Sequence, residues 1–199
     1  KNPLDLTSGN DRGRIWRIAP KGFKPPKRDY TDAFNGPQLV KLLAHPNGWH
    51  RDTAARLIYE QQNRTVIPAL EKLAADRAQP LGQIHALWAL RGLGALKAGH
   101  VLGALKNGTA AVRVQAMQLA EDFVKDANVV RAVFARVDNP DRDILFQLAL
   151  TASRFPASEE KSLALAMALT HAKGDRWIEA AVMNAFNGDE ELGELFVSI

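Results

Sequence analysis

The chain contains no cysteine in its 199 residues. That absence excludes disulfides, thiolate metal sites, a cysteine nucleophile and a covalently attached haem within these residues. Long apolar runs are also missing. The most apolar stretch, 163–169, falls far short of the roughly 20 residues that span a bilayer. The opening Lys1-Asn2-Pro3-Leu4-Asp5-Leu6 has no apolar core of the kind a signal peptide needs. There is no glycine-rich nucleotide motif and no persuasive Ser/His/Asp set. The adjacent acids Glu121-Asp122 and Glu159-Glu160 would point about 100° apart on a helix, so neither makes a convincing acid–base dyad. No cofactor, metal or catalytic residue is expected.

What the chain has is a period. Similar segments begin at Arg51, Gln83, Arg113, Asp143 and Trp177, at steps of 32, 30, 30 and 34 residues. A second segment with helical apolar spacing precedes each. A recurrence of this length is the mark of a stacked solenoid. The spacing predicts helix pairs over 37–43 and 49–61, 66–75 and 81–93, 99–105 and 111–124, 129–137 and 142–155, and 158–171 and 176–186. Breaks fall at His45-Pro46-Asn47-Gly48, Pro80, Asn107-Gly108, Asn139-Pro140 and Gly174. Pro37 suits a helix start. So does Ser158 followed by Glu159 and Glu160, a capping hydroxyl with acids at the positive end of the helix dipole. Residues 189–196 read as the first helix of a sixth pair. The apolar close Phe196-Val197-Ser198-Ile199 predicts an array continuing in a longer protein, because arrays normally end in a polar cap.

Residues 1–36 differ from the 37–199 array. Gly13-Arg14-Ile15-Trp16-Arg17-Ile18 reads as a short strand, and Pro25-Pro26 favours an extended linker. The net charge of +4 is concentrated here. Residues 1–28 hold 8 Lys/Arg against 2 Asp/Glu, a net of +6, while 29–199 hold 18 against 20, a net of −2. A phosphate-binding array would carry the positive charge itself.

The short pairs, their Pro, Gly or Asn breaks and Val112-Arg113 opening a second helix resemble bacterial HEAT repeats of the short type. The expected fold is therefore all-α: a right-handed α-α superhelix of about five pairs behind an extended basic segment. A closer likeness runs over residues 9–150. It is carried by Gly9-Asn10-Asp11-Arg12-Gly13-Arg14-Ile15-Trp16-Arg17-Ile18, by His45-Pro46-Asn47-Gly48-Trp49-His50-Arg51-Asp52-Thr53-Ala54-Ala55-Arg56-Leu57 and by His85-Ala86-Leu87-Trp88-Ala89-Leu90. These stretches resemble the large membrane-bound dehydrogenase-type proteins of planctomycetes, in which a β-propeller is followed by HEAT repeats and a c-type cytochrome domain. The resemblance implies a non-catalytic scaffold between two domains of a periplasmic or envelope-associated protein. Its partner would be a protein, with no specific nucleic acid and no membrane insertion by this chain. The alternative is a nucleic-acid-binding array of the alkylpurine DNA glycosylase type, with Trp49, Asp52 and Arg113 on its binding face.

The candidate partner surface comprises Trp49, Arg51, Arg113, Arg142, Arg176 and Trp177, all near starts of second helices. The arginines read either as an anion-binding stripe or as an Asp–Arg ladder between repeats, with Asp52, Asp141, Asp143 and Asp175 as partners. Trp49 and Trp177 read as exposed anchors or as core, and mid-helix Trp88 as core. His45 and His50 lack the further ligands that zinc requires. His85 reads as a satisfied, partly buried histidine, and His100 and His171 as capping residues.

Overall fold

A computed structural model of the chain describes residues 18–24, 35–135 and 141–186. The chain divides into two units, Lys1–Tyr30 and Thr31–Ile199. In the first, Phe23 N–H donates to the Pro20 carbonyl at 3.0 Å, and Gly22 supplies the positive φ of +85° that this turn needs. Ile18, the last residue of the expected strand, lies in no strand and is fully exposed. The rest of that strand, the Pro25-Pro26 linker and the sixth-pair helix over 189–196 lie outside the described residues.

The second unit is all-helical among its described residues. Its helices are α1 (Gly36–Leu42), α2 (Gly48–Gln61), α3 (Ile67–Ala75), α4 (Pro80–Gly92), α5 (Ala98–Asn107), α6 (Ala110–Ala120), α7 (Ala127–Phe134), α8 (Arg142–Ala152), α9 (Glu159–Ala172) and α10 (Arg176–Met183). Seven of the ten described starts have a side-chain cap. Asn35, Asn47, Thr109, Asp126, Asp141, Ser158 and Asp175 each accept a backbone N–H from the first turn of the following helix, satisfying donors that would otherwise be orphaned. Several boundaries differ from expectation: α7 begins two residues early, at Ala127, and α8 and α10 end three residues early, at Ala152 and Met183. Helix α3 is preceded by a 3-10 turn over Arg64–Val66, which Asn63 caps. Helix α6 stops at Ala120 and tightens into a 3-10 turn over Glu121–Phe123. The apolar pattern runs on through Phe123 and Val124, both half-buried against the core, but a tighter turn carries it.

The first helices of the pairs pack in series, α1 on α3, α3 on α5, α5 on α7 and α7 on α9. The second helices do the same, α2 on α4, α4 on α6, α6 on α8 and α8 on α10. We call these the A row and the B row. This packing is compatible with a helical solenoid. The core lies between the rows, with Leu70, Leu87, Leu90, Leu105, Met117, Leu119, Leu148 and Leu165 almost fully buried. Burying one such side chain contributes roughly 1.5–3 kcal/mol. Close approach is built in at Gly82, where an added Cβ would lie 2.8 Å from Leu73 Cδ1 and 3.0 Å from Ala44 Cβ.

Candidate functional site

The starts of the B-row helices place the six predicted surface residues differently from one another. Trp49 is 59% exposed and Trp177 57%. Trp49 stands edge-on to the His50 ring at 5.0 Å, and the Arg176 guanidinium lies 4.7 Å from the centre of the Trp177 ring. Both tryptophans thus lie on the surface, not in the core. Arg176 and Trp177 form one cation–π unit.

The arginines do not form the expected Asp–Arg ladder. Among the described residues only Arg142 follows it, donating from Nε to Asp175 Oδ2 at 2.5 Å across α8 and α10. That contact raises the Arg142 pKa and, with the Trp177 N–H also donating, holds the Asp175 carboxyl below its usual range. Arg51 instead turns back on its own repeat, donating from Nη1 to the carbonyls of His45 at 2.7 Å and Pro46 at 2.9 Å. Its Nε donates to His85 Nε2 at 3.2 Å, tying α2 to α4. The physical reason is the neighbour. Helix α10 offers an aspartate at its N-cap, whereas α4 offers Gln79. Among the described residues, Arg113 donates to the Lys106 carbonyl at 3.4 Å, and its Nε is buried without a hydrogen-bond partner. Trp49 and Asp52 are exposed, whereas Arg113 is half-buried with its Nε enclosed.

His85 is half-buried and bonded, as expected. Burial lowers its pKa, the nearby Arg51 charge lowers it further, and Asp52 pulls the other way. Because its Nε2 accepts from Arg51, the proton of the neutral ring sits on Nδ1. His45 and His50 stack edge-on at 4.3 Å between ring centres. Among the described residues, no group of three or more His, Asp or Glu is placed to hold a metal ion. None of the described helices is long and apolar enough to cross a membrane.

Sequence reasoning missed a series of polar bonds between successive B-row helices. Trp88 is half-buried and donates from Nε1 to Gln115 Oε1 at 2.8 Å, joining α4 to α6. Gln118 donates to Gln147 Oε1 at 2.9 Å, joining α6 to α8. Gln147, itself buried, donates to Thr151 Oγ1 at 2.9 Å, and Thr151 donates to Glu121 Oε1 at 3.1 Å. In the last turn of α4, Arg91 grips Asp122 of the 3-10 turn after α6 with two bonds of 2.6 and 2.9 Å, and this pairing raises the arginine pKa. The signal in the sequence was a spacing of 27 to 34 residues between complementary polar groups, which is the repeat length itself.

Among the described residues, the A row has one comparable cluster. Lys97 Nζ lies 2.8 Å from Glu71 Oε1 and His100 Nε2 lies 3.4 Å from it. Lys97, followed by His100, holds the Glu71 carboxyl below its usual range. Burial lowers the His100 pKa against the pull of Glu71. No family model, curated protein or solved structure matches the chain.

Proposed function

We propose that the chain is a non-catalytic, HEAT-like protein-interaction scaffold, a right-handed α-α superhelix serving a larger dehydrogenase–cytochrome protein of the periplasm or cell envelope. The observation that carries this reading is the exposure of Trp49 and Trp177 at B-row helix starts. Large aromatic side chains held on rigid helices and left in solvent are the residues that dominate protein interfaces. Arg176 adds a planar cation beside one of them. Two further arginines support the scaffold: Arg51 ties the turn before α2 to His85 in α4 and Arg142 ties the starts of α8 and α10 together, so the surface costs little ordering on binding. The dehydrogenase context rests on the resemblance of residues 9–150.

The test is titration of this chain, by calorimetry, with separately produced β-propeller and cytochrome c domains of the resembled type. Binding of at least one is expected. Trp49→Ala or Trp177→Ala should weaken it by about tenfold or more while leaving thermal unfolding unchanged. Binding of neither domain, or unaltered affinity in both variants, rejects the reading. Tight binding of duplex DNA by residues 31–199 would favour the nucleic-acid alternative.

A further inference from the structure

The two exposed tryptophans stand on supports of different chemistry. At the α1–α2 turn, Arg51 Nη1 is seated on the carbonyls of His45 and Pro46, and its Nε donates to His85 Nε2. His45 also uses its ring: Nδ1 accepts the Asn47 backbone N–H at 3.0 Å. The Asn47 side chain in turn caps α2 by accepting the Trp49 backbone N–H at 3.0 Å. The His50 ring lies 4.3 Å from that of His45 and 5.0 Å from that of Trp49, centre to centre. Two imidazole nitrogens, one on His45 and one on His85, thus act as acceptors in the turn that presents Trp49.

An imidazole nitrogen accepts only while it carries no proton. Protonating His45 at Nδ1 sets a donor against the Asn47 N–H. Protonating His85 at Nε2 sets a donor against Arg51 and adds a second positive charge beside the guanidinium. The charged and titratable groups around the turn are His50, Arg51 and Asp52 from α2 and His85 from α4. Lys41 from α1, and Lys72 and Asp76 from α3 and its end, line the cleft beside Ala44. Asp76 is engaged by the Ala78 N–H and by Gln79, and Asp52 is the acid that favours a charged His85. The support of Trp177 contains no histidine bond. Asp175 accepts the Trp177 N–H at 2.9 Å and the Arg142 Nε. These donors hold its carboxyl below the usual range, so it stays ionised wherever histidines change charge.

We propose that the α1–α2 turn is an acid-sensitive switch: protonation of its histidines breaks the His45–Asn47 and His85–Arg51 bonds and releases Trp49, while Trp177 keeps its place. The inference rests on the reading of both tryptophans as partner anchors and adds regulation to that surface. At neutral pH both aromatic anchors are held ready. As the histidines charge, between about pH 7 and pH 5, the surface is reduced to its Trp177 end and the partner is loosened.

The experiment is a pH titration of the full chain by NMR from about pH 7.5 to pH 5, following the Asn47 amide and the indole N–H signals of Trp49 and Trp177. The Asn47 and Trp49 signals should move together as the histidines titrate, and the Trp177 signal should stay in place. His45→Asn retains an acceptor near the position of Nδ1 and cannot be protonated. It should remove the Asn47 response and reduce that of Trp49, and adding His85→Gln should remove the remainder. Should these variants not fold, the two indole signals of the unmodified chain decide alone. In calorimetry with the domain that binds, acid should weaken binding about tenfold, as Trp49→Ala does at neutral pH, and Trp49→Ala should remove this pH dependence. The NMR readout needs no partner, so failure of the switch and failure of the scaffold reading are told apart. An unmoved Asn47 amide, a Trp177 response as large as that of Trp49, or an unaltered Asn47 titration in a folded His45→Asn variant overturns the proposal.

Discussion

The two rows of helices share one apolar core but are joined in different ways. Along the B row, polar side chains cross between successive helices at every step: Arg51 to His85, Trp88 to Gln115, Gln118 to Gln147 and Arg142 to Asp175. Along the A row the described polar joint is the Glu71–Lys97–His100 cluster. Clefts take its place elsewhere: about 610 Å³ between α1 and α3, walled by Val40, Lys41 and Leu73, and about 260 Å³ between α7 and α9, walled by Phe134, Leu163 and Met167. Apolar burial is non-directional and holds both rows together. Directional bonds add the choice of which helix turn faces which. The comparison teaches that register is specified on the B row by directional bonds that the described A row largely lacks.

The largest effect should come from breaking the first B-row joint. Arg51→Ala removes bonds to two carbonyls and to His85, and should cost about 2–3 kcal/mol, read as a fall in the midpoint of urea unfolding. Thr151→Val comes next. It keeps the shape but leaves Gln147 and Glu121 without their hydroxyl partner, and should cost about 1–2 kcal/mol by the same measurement.

Acid should weaken both rows through their histidines. His85 and His100 have folded pKa values below the ordinary 6.5, so the unfolded chain binds protons more readily. Their contribution is complete above 6.5, fades as the pH falls below it, and is fully lost only below the folded values. The melting temperature should therefore drop between about pH 7 and pH 5. His85→Gln should flatten the part that comes from the B row, where protonation would set an imidazolium against Arg51. The smallest effect sharpens the contrast from the other side. Gly103→Ala on the A row should stabilise the protein by about 0.5–1 kcal/mol, because its new methyl meets nothing. A destabilised variant would mean that α5 is packed more tightly there than that open space implies.

Much of the fold was legible because its causes are local. Ser158 caps α9 and Pro37 sits in the first turn of α1 as expected, since capping needs only residues in sequence contact. The B-row bonds were not read, although their spacing is the repeat length. Periodicity says that residues about 30 apart lie on adjacent helices; it does not say which side chain turns toward its neighbour. Arg51 and Arg142 begin equivalent helices, yet one meets backbone carbonyls and a histidine and the other an aspartate. The exposure of Trp49 and Trp177 was similarly undecided, because an aromatic residue near a helix start suits either core or surface.

The central claim, that directional bonds specify the B row and not the A row, is tested most directly by two double-mutant cycles on thermal and urea unfolding. One pairs Gln118→Ala with Gln147→Ala; the other pairs Lys97→Ala with Glu71→Ala. The account predicts a coupling of about 1 kcal/mol across the glutamine pair and a coupling that vanishes in high salt across the exposed lysine pair. A glutamine coupling indistinguishable from zero, or a salt-resistant A-row coupling as large as that of the B row, would contradict it.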